Sequence, residues 1–153
     1  MTIVSGKSMW CKLLGDPVVN PFDVDNREWT IDLVVDKDTV KKLKQDKLDW
    51  KIKSVDNVGE VIRFKRKEKS RTGKENERIE VIDSKGKPWD QKVLIGNDSE
   101  VNVKYRTWEG MKKTQNNAWI EAVQVVKLVP YNQDSSDTFP IEEELNDEIG
   151  ELA

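Results

Sequence analysis

The sequence predicts a mainly β protein: a small antiparallel barrel with one helix, followed by a disordered acidic C-terminal tail. Three observations carry that expectation. Several segments alternate apolar and polar residues with period two, one segment follows the helical period, and the final residues are acidic without a single base. Residues 1–131 hold all 26 Lys and Arg but 21 of the 29 acids, a net of +5. Residues 132–153 hold the other eight acids, Asp134, Asp137, Glu142, Glu143, Glu144, Asp147, Glu148 and Glu151, a net of −8. The overall −3 therefore conceals a basic body joined to a polyanion, a division that points towards nucleic acid or a recruited partner.

The elements follow in chain order. Met9–Leu14 reads as a short strand ended by Gly15-Asp16-Pro17, and the stretch through Pro21 reads as loop. Trp29–Val35 is a strand with Trp29, Ile31, Leu33 and Val35 on one face and Thr30 and Asp32 on the other. Asp36 or Asp38 can cap a helix to about Leu48, with Val40, Leu43 and Leu48 on its apolar side and lysines elsewhere. Val61–Lys67 sets Ile62 and Phe64 against Arg63, Lys65 and Lys67. Arg78–Asp83 alternates again, and the two segments are expected to pair as a hairpin with a long, basic, mobile tip. Lys92–Ile95 is apolar enough for a brief strand. Ser99–Trp108 alternates most clearly, with Val101, Val103 and Tyr105 opposite Asn102, Lys104, Arg106 and Trp108. Trp119–Val129 is a last strand, apolar on both sides. This tally suits a five-stranded OB-like barrel over residues 1–131; a ferredoxin-like fold needs a second helix, which no segment supplies.

Composition excludes more than it assigns. The chain has no His, which removes the usual imidazole acid–base group and the commonest metal ligand. The single cysteine, Cys11, can form neither an internal disulfide nor a cysteine-cluster zinc site, and reads as a small core residue. No spaced acidic motif or Gly-rich phosphate loop appears, so no metal, cofactor or enzymatic activity is expected. No apolar stretch approaches the length of a membrane span, and a cytoplasmic location is expected.

Two constellations on the body suggest a binding surface. The run Arg63, Lys65, Arg66, Lys67, Lys69, Arg71, Lys74 and Arg78 would line an arm suited to a phosphate backbone, or else form a solvated edge. Lys104, Arg106 and Trp108 set two cations beside an indole on one strand face, a pattern in which bases stack and phosphates pair. Lys112 and Lys113 follow in the next connector. Trp10 beside Lys12, and Trp50 beside Lys51, are weaker stacking candidates; Trp29 and Trp119 are expected in the core. In the tail, Phe139 precedes a segment where Ile141, Leu145 and Ile149 recur at helical spacing among Glu142, Glu143, Glu144, Asp147 and Glu148. It is expected to be disordered when free and to fold on a basic, grooved partner.

The block Val93-Leu94-Ile95-Gly96-Asn97-Asp98-Ser99-Glu100-Val101-Asn102-Val103-Lys104-Tyr105, with the later Ala122-Val123-Gln124-Val125-Val126-Lys127-Leu128-Val129-Pro130-Tyr131, resembles bacteriophage single-stranded-DNA-binding proteins. The nearest group is the OB-fold family of podophage replication proteins. The resemblance implies a barrel that coats single strands during replication, recombination and repair, and a tail contacting the replication polymerase and helicase-primase. It also implies a homodimer. This chain departs from the family in ending Glu151-Leu152-Ala153 instead of on an aromatic residue. The residues thus favour a single-strand binder, for DNA or RNA. The alternative is a protein-interaction module, an inhibitor or adaptor of a nucleic-acid enzyme, that binds no single strand itself.

Overall fold

The structure, a computed structural model, describes residues 1–131; the expected tail, with Phe139, Leu145 and Ile149, lies outside the described residues. Eight strands and one helix follow in the order β1 (Thr2–Lys12), β2 (Val18–Asn20), β3 (Asp23–Val34), α1 (Lys37–Gln45), β4 (Lys53–Val55), β5 (Gly59–Lys67), β6 (Glu80–Ile82), β7 (Glu100–Glu109) and β8 (Asn116–Lys127). A 3₁₀ turn at Asp49–Lys51 precedes β4. The strands form one sheet, ordered β4-β5-β3-β1-β7-β8-β6, with β2 paired to β3. Every pairing is antiparallel except β6 with β8.

The sheet curls until β5 approaches β8. Among the described residues no ladder joins these two strands, and the Arg66 side chain spans the seam instead. Its guanidinium donates to the carbonyl of Ile120 on β8 and to those of Glu77 and Arg78 on the segment entering β6. Inside the curl lie Val4, Ile31, Leu33, Ile62, Phe64, Val101, Val103, Tyr105, Ile120 and Val123, all buried. Each such side chain contributes about 1.5–3 kcal/mol on leaving water.

Helix α1 closes one end. Asp36 caps it by accepting from the Thr39 amide at 2.8 Å, and Leu43 and Leu48 are fully buried. Asp46, at its C-terminal end, accepts from the Tyr105 hydroxyl and from Thr2 Oγ1, both at 2.8 Å. Burial and the Asp46 carboxylate push the Tyr105 phenol well above its ordinary range.

Several expectations need correction. The first strand begins at Thr2. Its inward row is Val4-Gly6-Ser8, too weakly apolar to register as a period-two signal. Gly6 is required there, because a Cβ would collide with the Val34 carbonyl. Val18–Asn20 forms a strand where a loop was expected. The hairpin between β5 and the Arg78–Asp83 segment does not form. Pairing continues past β5 only to a Lys69–Glu75 bridge, closed by a turn in which the Gly73 amide donates to Ser70 O at 3.0 Å. The chain then crosses the seam, and β6 joins the free edge of β8 in parallel. The turn is tied down at its base. Asn26 both donates to and accepts from the Lys69 backbone at 2.8 Å, and Arg27 grips Glu68 through two bonds of 3.1 and 3.0 Å. Lys92–Ile95 is a turn, from which Ile95 alone bridges to Pro130.

Candidate nucleic-acid interface

A groove of about 630 Å³ opens on the outer side of β5 and runs to the paired ends of β7 and β8. Its floor comes from β5. With Ile62, Phe64 and Arg66 turned inward, Arg63, Lys65 and Lys67 must point outward. The opposite register on β3 is Asp32↔Arg63, Thr30↔Lys65 and Glu28↔Lys67, so acids face the outer two cations and a threonine faces the middle one.

The electrostatics follow from that register. Arg63 Nε donates to Asp32 Oδ1 at 2.7 Å, and Arg63 Nη2 to Asp32 Oδ2 at 3.1 Å, which raises the guanidinium further above its ordinary value. Lys67 Nζ lies 2.7 Å from Asp23 Oδ2 and 3.9 Å from Glu28 Oε1. Lys51, Lys65, Lys69 and Arg71, also lining the groove, make no ion pair among the described residues. Burial first, then repulsion from Lys65 and Lys53, lowers the Lys51 pKa. A polyanion entering the groove would relieve that repulsion.

Aromatic rings form the far wall. Trp108 stands outward near the end of β7, half exposed, across from Asn117 on β8. Trp119 belongs to the groove and not to the core. A bulge explains the reversal: Lys104 pairs with Ala122 but Tyr105 with Ile120, leaving Glu121 as an extra residue. Counted by twos from Val125 and Val123, Trp119 would face inward; the extra residue turns it outward beside Arg106. The guanidinium carbon of Arg66 lies 4.5 Å from the Trp119 ring centroid and that of Arg106 5.8 Å. Arg106 also pairs with Glu121 at 2.8 Å, so it sits at the rim, partly neutralised.

The remaining candidates separate by place. Arg63, Lys65, Lys67, Lys69, Arg71 and Trp108 line the groove together. Trp50 stands at its margin, donating from Nε1 to Asn116 O at 2.9 Å, with Lys51 Nζ 4.7 Å from its ring centroid. Lys112 and Lys113 ride the connector between β7 and β8. That connector closes where the Gly110 amide donates to Gln115 O, and a Cβ at Gly110 would strike the same carbonyl. Lys74 is exposed in the turn beside Arg71, outside the groove. Lys104 is exposed on β7 but does not line it. Lys12 pairs with Thr30, which pairs with Lys65, putting Lys12 two strands away, about 10 Å, outside the lining. Trp10 is farthest. It sits at the β1 bulge with φ 48, its amide bonded to Asn97 Oδ1, at the opposite end of β7 from Trp108.

Sequence reasoning missed the groove's asparagines, placed Trp119 in the core, and named Lys51 only as the neighbour of Trp50, not as a groove cation. The amides of Asn26 and Asn76 are engaged with the Lys69 and Lys67 backbones. Among the described residues no three His, Cys, Asp or Glu side chains gather as a metal site, and no helix is long and apolar enough to cross a membrane.

No protein-family model matches the chain, and no curated protein matches it in sequence. Solved structures do match in fold. The single-stranded-DNA-binding protein gp2.5 of bacteriophage T7 is 16% identical with a TM-score of 0.54, over 92% of this chain and 97% of that one. The single-stranded-DNA-binding protein of bacteriophage Enc34, in complex with ssDNA, is 18% identical with a TM-score of 0.57, over 85% and 88%. The fold of this chain is thus shared with phage single-stranded-DNA-binding proteins.

Proposed function

We propose that this protein binds single-stranded DNA as a non-catalytic coat during phage replication, recombination and repair, holding the strand in the groove of an OB-like barrel. One observation carries the reading most: Lys51, Lys65, Lys69 and Arg71 crowd a groove walled by Trp108 and Trp119 without ion-pair partners among the described residues. Cations hold phosphates, indoles stack on any base, and the amides of Asn26 and Asn76, already bonded to backbone, read no sequence. The fold shared with proteins named for ssDNA binding supports the same assignment.

Residues 132–153 complete the proposal as a tethered polyanion that competes for the groove and, once displaced, recruits a replication polymerase or helicase-primase. Removing residues 134–153 is then expected to tighten DNA binding at low salt, and unchanged affinity would dismiss self-competition. The class of function is tested by an electrophoretic shift with a dT oligomer of about 30 nucleotides, beside duplex of equal length, at about 50 and 300 mM salt. A strong, salt-sensitive preference for the single strand is expected. No shift would instead favour a protein-interaction module, and equal grip on duplex would remove the role given to the indoles. Competition by an RNA oligomer asks whether the 2′-hydroxyl matters.

A further inference from the structure

Resting on that reading, we infer that the single strand does not stop at the groove but continues over a second cationic surface, made by the exposed side of α1 and the β7–β8 connector. The groove ends where β8 begins, and hydrogen bonds tie that point to the end of the helix. The Asn116 amide donates to Lys47 O at 2.9 Å, Asn116 Nδ2 to Asp46 O at 3.0 Å, and Lys47 Nζ to Lys113 O at 3.1 Å. Asn117, the next residue, already lines the groove. Lys47 and the connector that carries Lys112 and Lys113 therefore meet at its mouth.

From there the helix carries the charge onward. Lys41 and Lys44 are exposed and three residues apart, hence on one side, about 4.5 Å apart along the axis. None of these five lysines makes an ion pair among the described residues. Of the nearby acids, Asp36 caps the helix and Asp46 accepts from Tyr105 and Thr2, while Asp38 and Asp49, both exposed, flank Lys41, Lys44 and Lys47 without standing between them. Solubility alone would be served by lysines interspersed with acids. A row of cations continuous with a groove fits a polyanion passing from one to the other. Beyond Trp50 at the mouth, neither α1 nor the β7–β8 connector carries an indole, so this surface contacts phosphate and leaves the bases unstacked.

The test is the full-length variant Lys41→Gln/Lys44→Gln/Lys47→Gln, measured with dT oligomers of about 6 and about 30 nucleotides, lengths that bracket one barrel's site. For the short oligomer the Kd is expected to stay within about twofold of wild type. For the long one, it should rise about tenfold or more at low salt, and the slope of log K against log salt should shallow by about 2, near 0.7 per lost phosphate contact. Equal affinities of variant and wild type for the long oligomer would overturn the inference, as would equal losses at both lengths. A synthetic peptide of residues 132–153 bound by wild type but not by the variant, with DNA binding unaltered, would assign the surface to the tail and overturn it too. Failure of wild type to bind either oligomer would instead strike the parent reading.

Discussion

Trp108→Ala separates stacking from charge. The indole is 50% exposed, has no hydrogen bond among the described residues, and sits on a strand whose pairing with Asn117 is made by the backbone. Removing the half-buried ring should therefore cost about 1–3 kcal/mol of folding stability and leave the fold intact. Binding is a different matter. One base–indole stack is worth about 1–3 kcal/mol, so the Kd for oligo(dT) is expected to rise by a factor between about 5 and 150. No counterion is released by stacking, so the loss should be the same at every salt concentration. Titration with oligo(dT) at a series of salt concentrations, followed by intrinsic fluorescence, reads both quantities. The plot of log K against log salt is expected to move down in parallel, with weaker quenching. Unchanged affinity and full quenching would refute the reasoning and pass the role to Trp119 or Trp50. A changed slope would show that the ring acts by positioning cations.

Lys65→Ala should do the converse, shallowing the salt slope by about 0.7 with quenching at saturation retained, because Lys65 faces Thr30 and has no acid to neutralise it. Arg66→Lys should lower stability by about 2–4 kcal/mol in urea unfolding, since an ammonium cannot span the carbonyls of Glu77, Arg78 and Ile120 that the guanidinium joins. An unaltered midpoint would mean that the seam holds without it. Burial pushes the Cys11 thiol from 9.0 to about 11, so the folded state keeps its proton where the unfolded state loses it. The associated stability is present below pH 9 and is lost as pH rises towards about 11, a change of about 2–3 kcal/mol. Urea unfolding at the two ends of that range should show the loss in wild type and a smaller one in Cys11→Ala; equal losses would assign the effect to the lysines.

Much of this is legible in the sequence, and each failure has its own physical cause. β5 and β7 were read correctly because each packs one face against the core, so that period two survives intact. α1 was legible from Asp36 and from Leu43 and Leu48. β1 was half missed because close approach to Val34 demands Gly6 in its inward row, and a residue chosen for absent volume has no hydropathy to read. Trp119 was misplaced by a single bulged residue, Glu121, which inverts the parity of everything before it. The partner of β6 was missed because alternation shows that a strand is half-buried but not which edge it joins. Lys51 lay in no run of charge; only the 3₁₀ turn, held by Trp50 on Asn116, brings it to the groove.

The acids beside Arg63 and Lys67 look wasteful in a site for polyanions, since each lowers local positive charge. Their register suggests otherwise. Asp32 and Asp23 hold the two outer cations of β5 in fixed positions, while Lys65 between them and Lys51 beyond are left to carry net charge into the groove. A paired cation still donates hydrogen bonds to a phosphate but releases few counterions. For an oligomer short enough to stay within the groove, the salt slope should therefore count mainly Lys51, Lys65, Lys69 and Arg71, four contacts and a slope near −3, and not every cation that lines the groove. If Asp32→Asn freed Arg63 for phosphate, the slope should steepen by about 0.7 towards the larger count. A slope indifferent to Asp32 would mean that Arg63 already meets the backbone as a full charge, and that the pairing seen in the free protein does not persist on DNA.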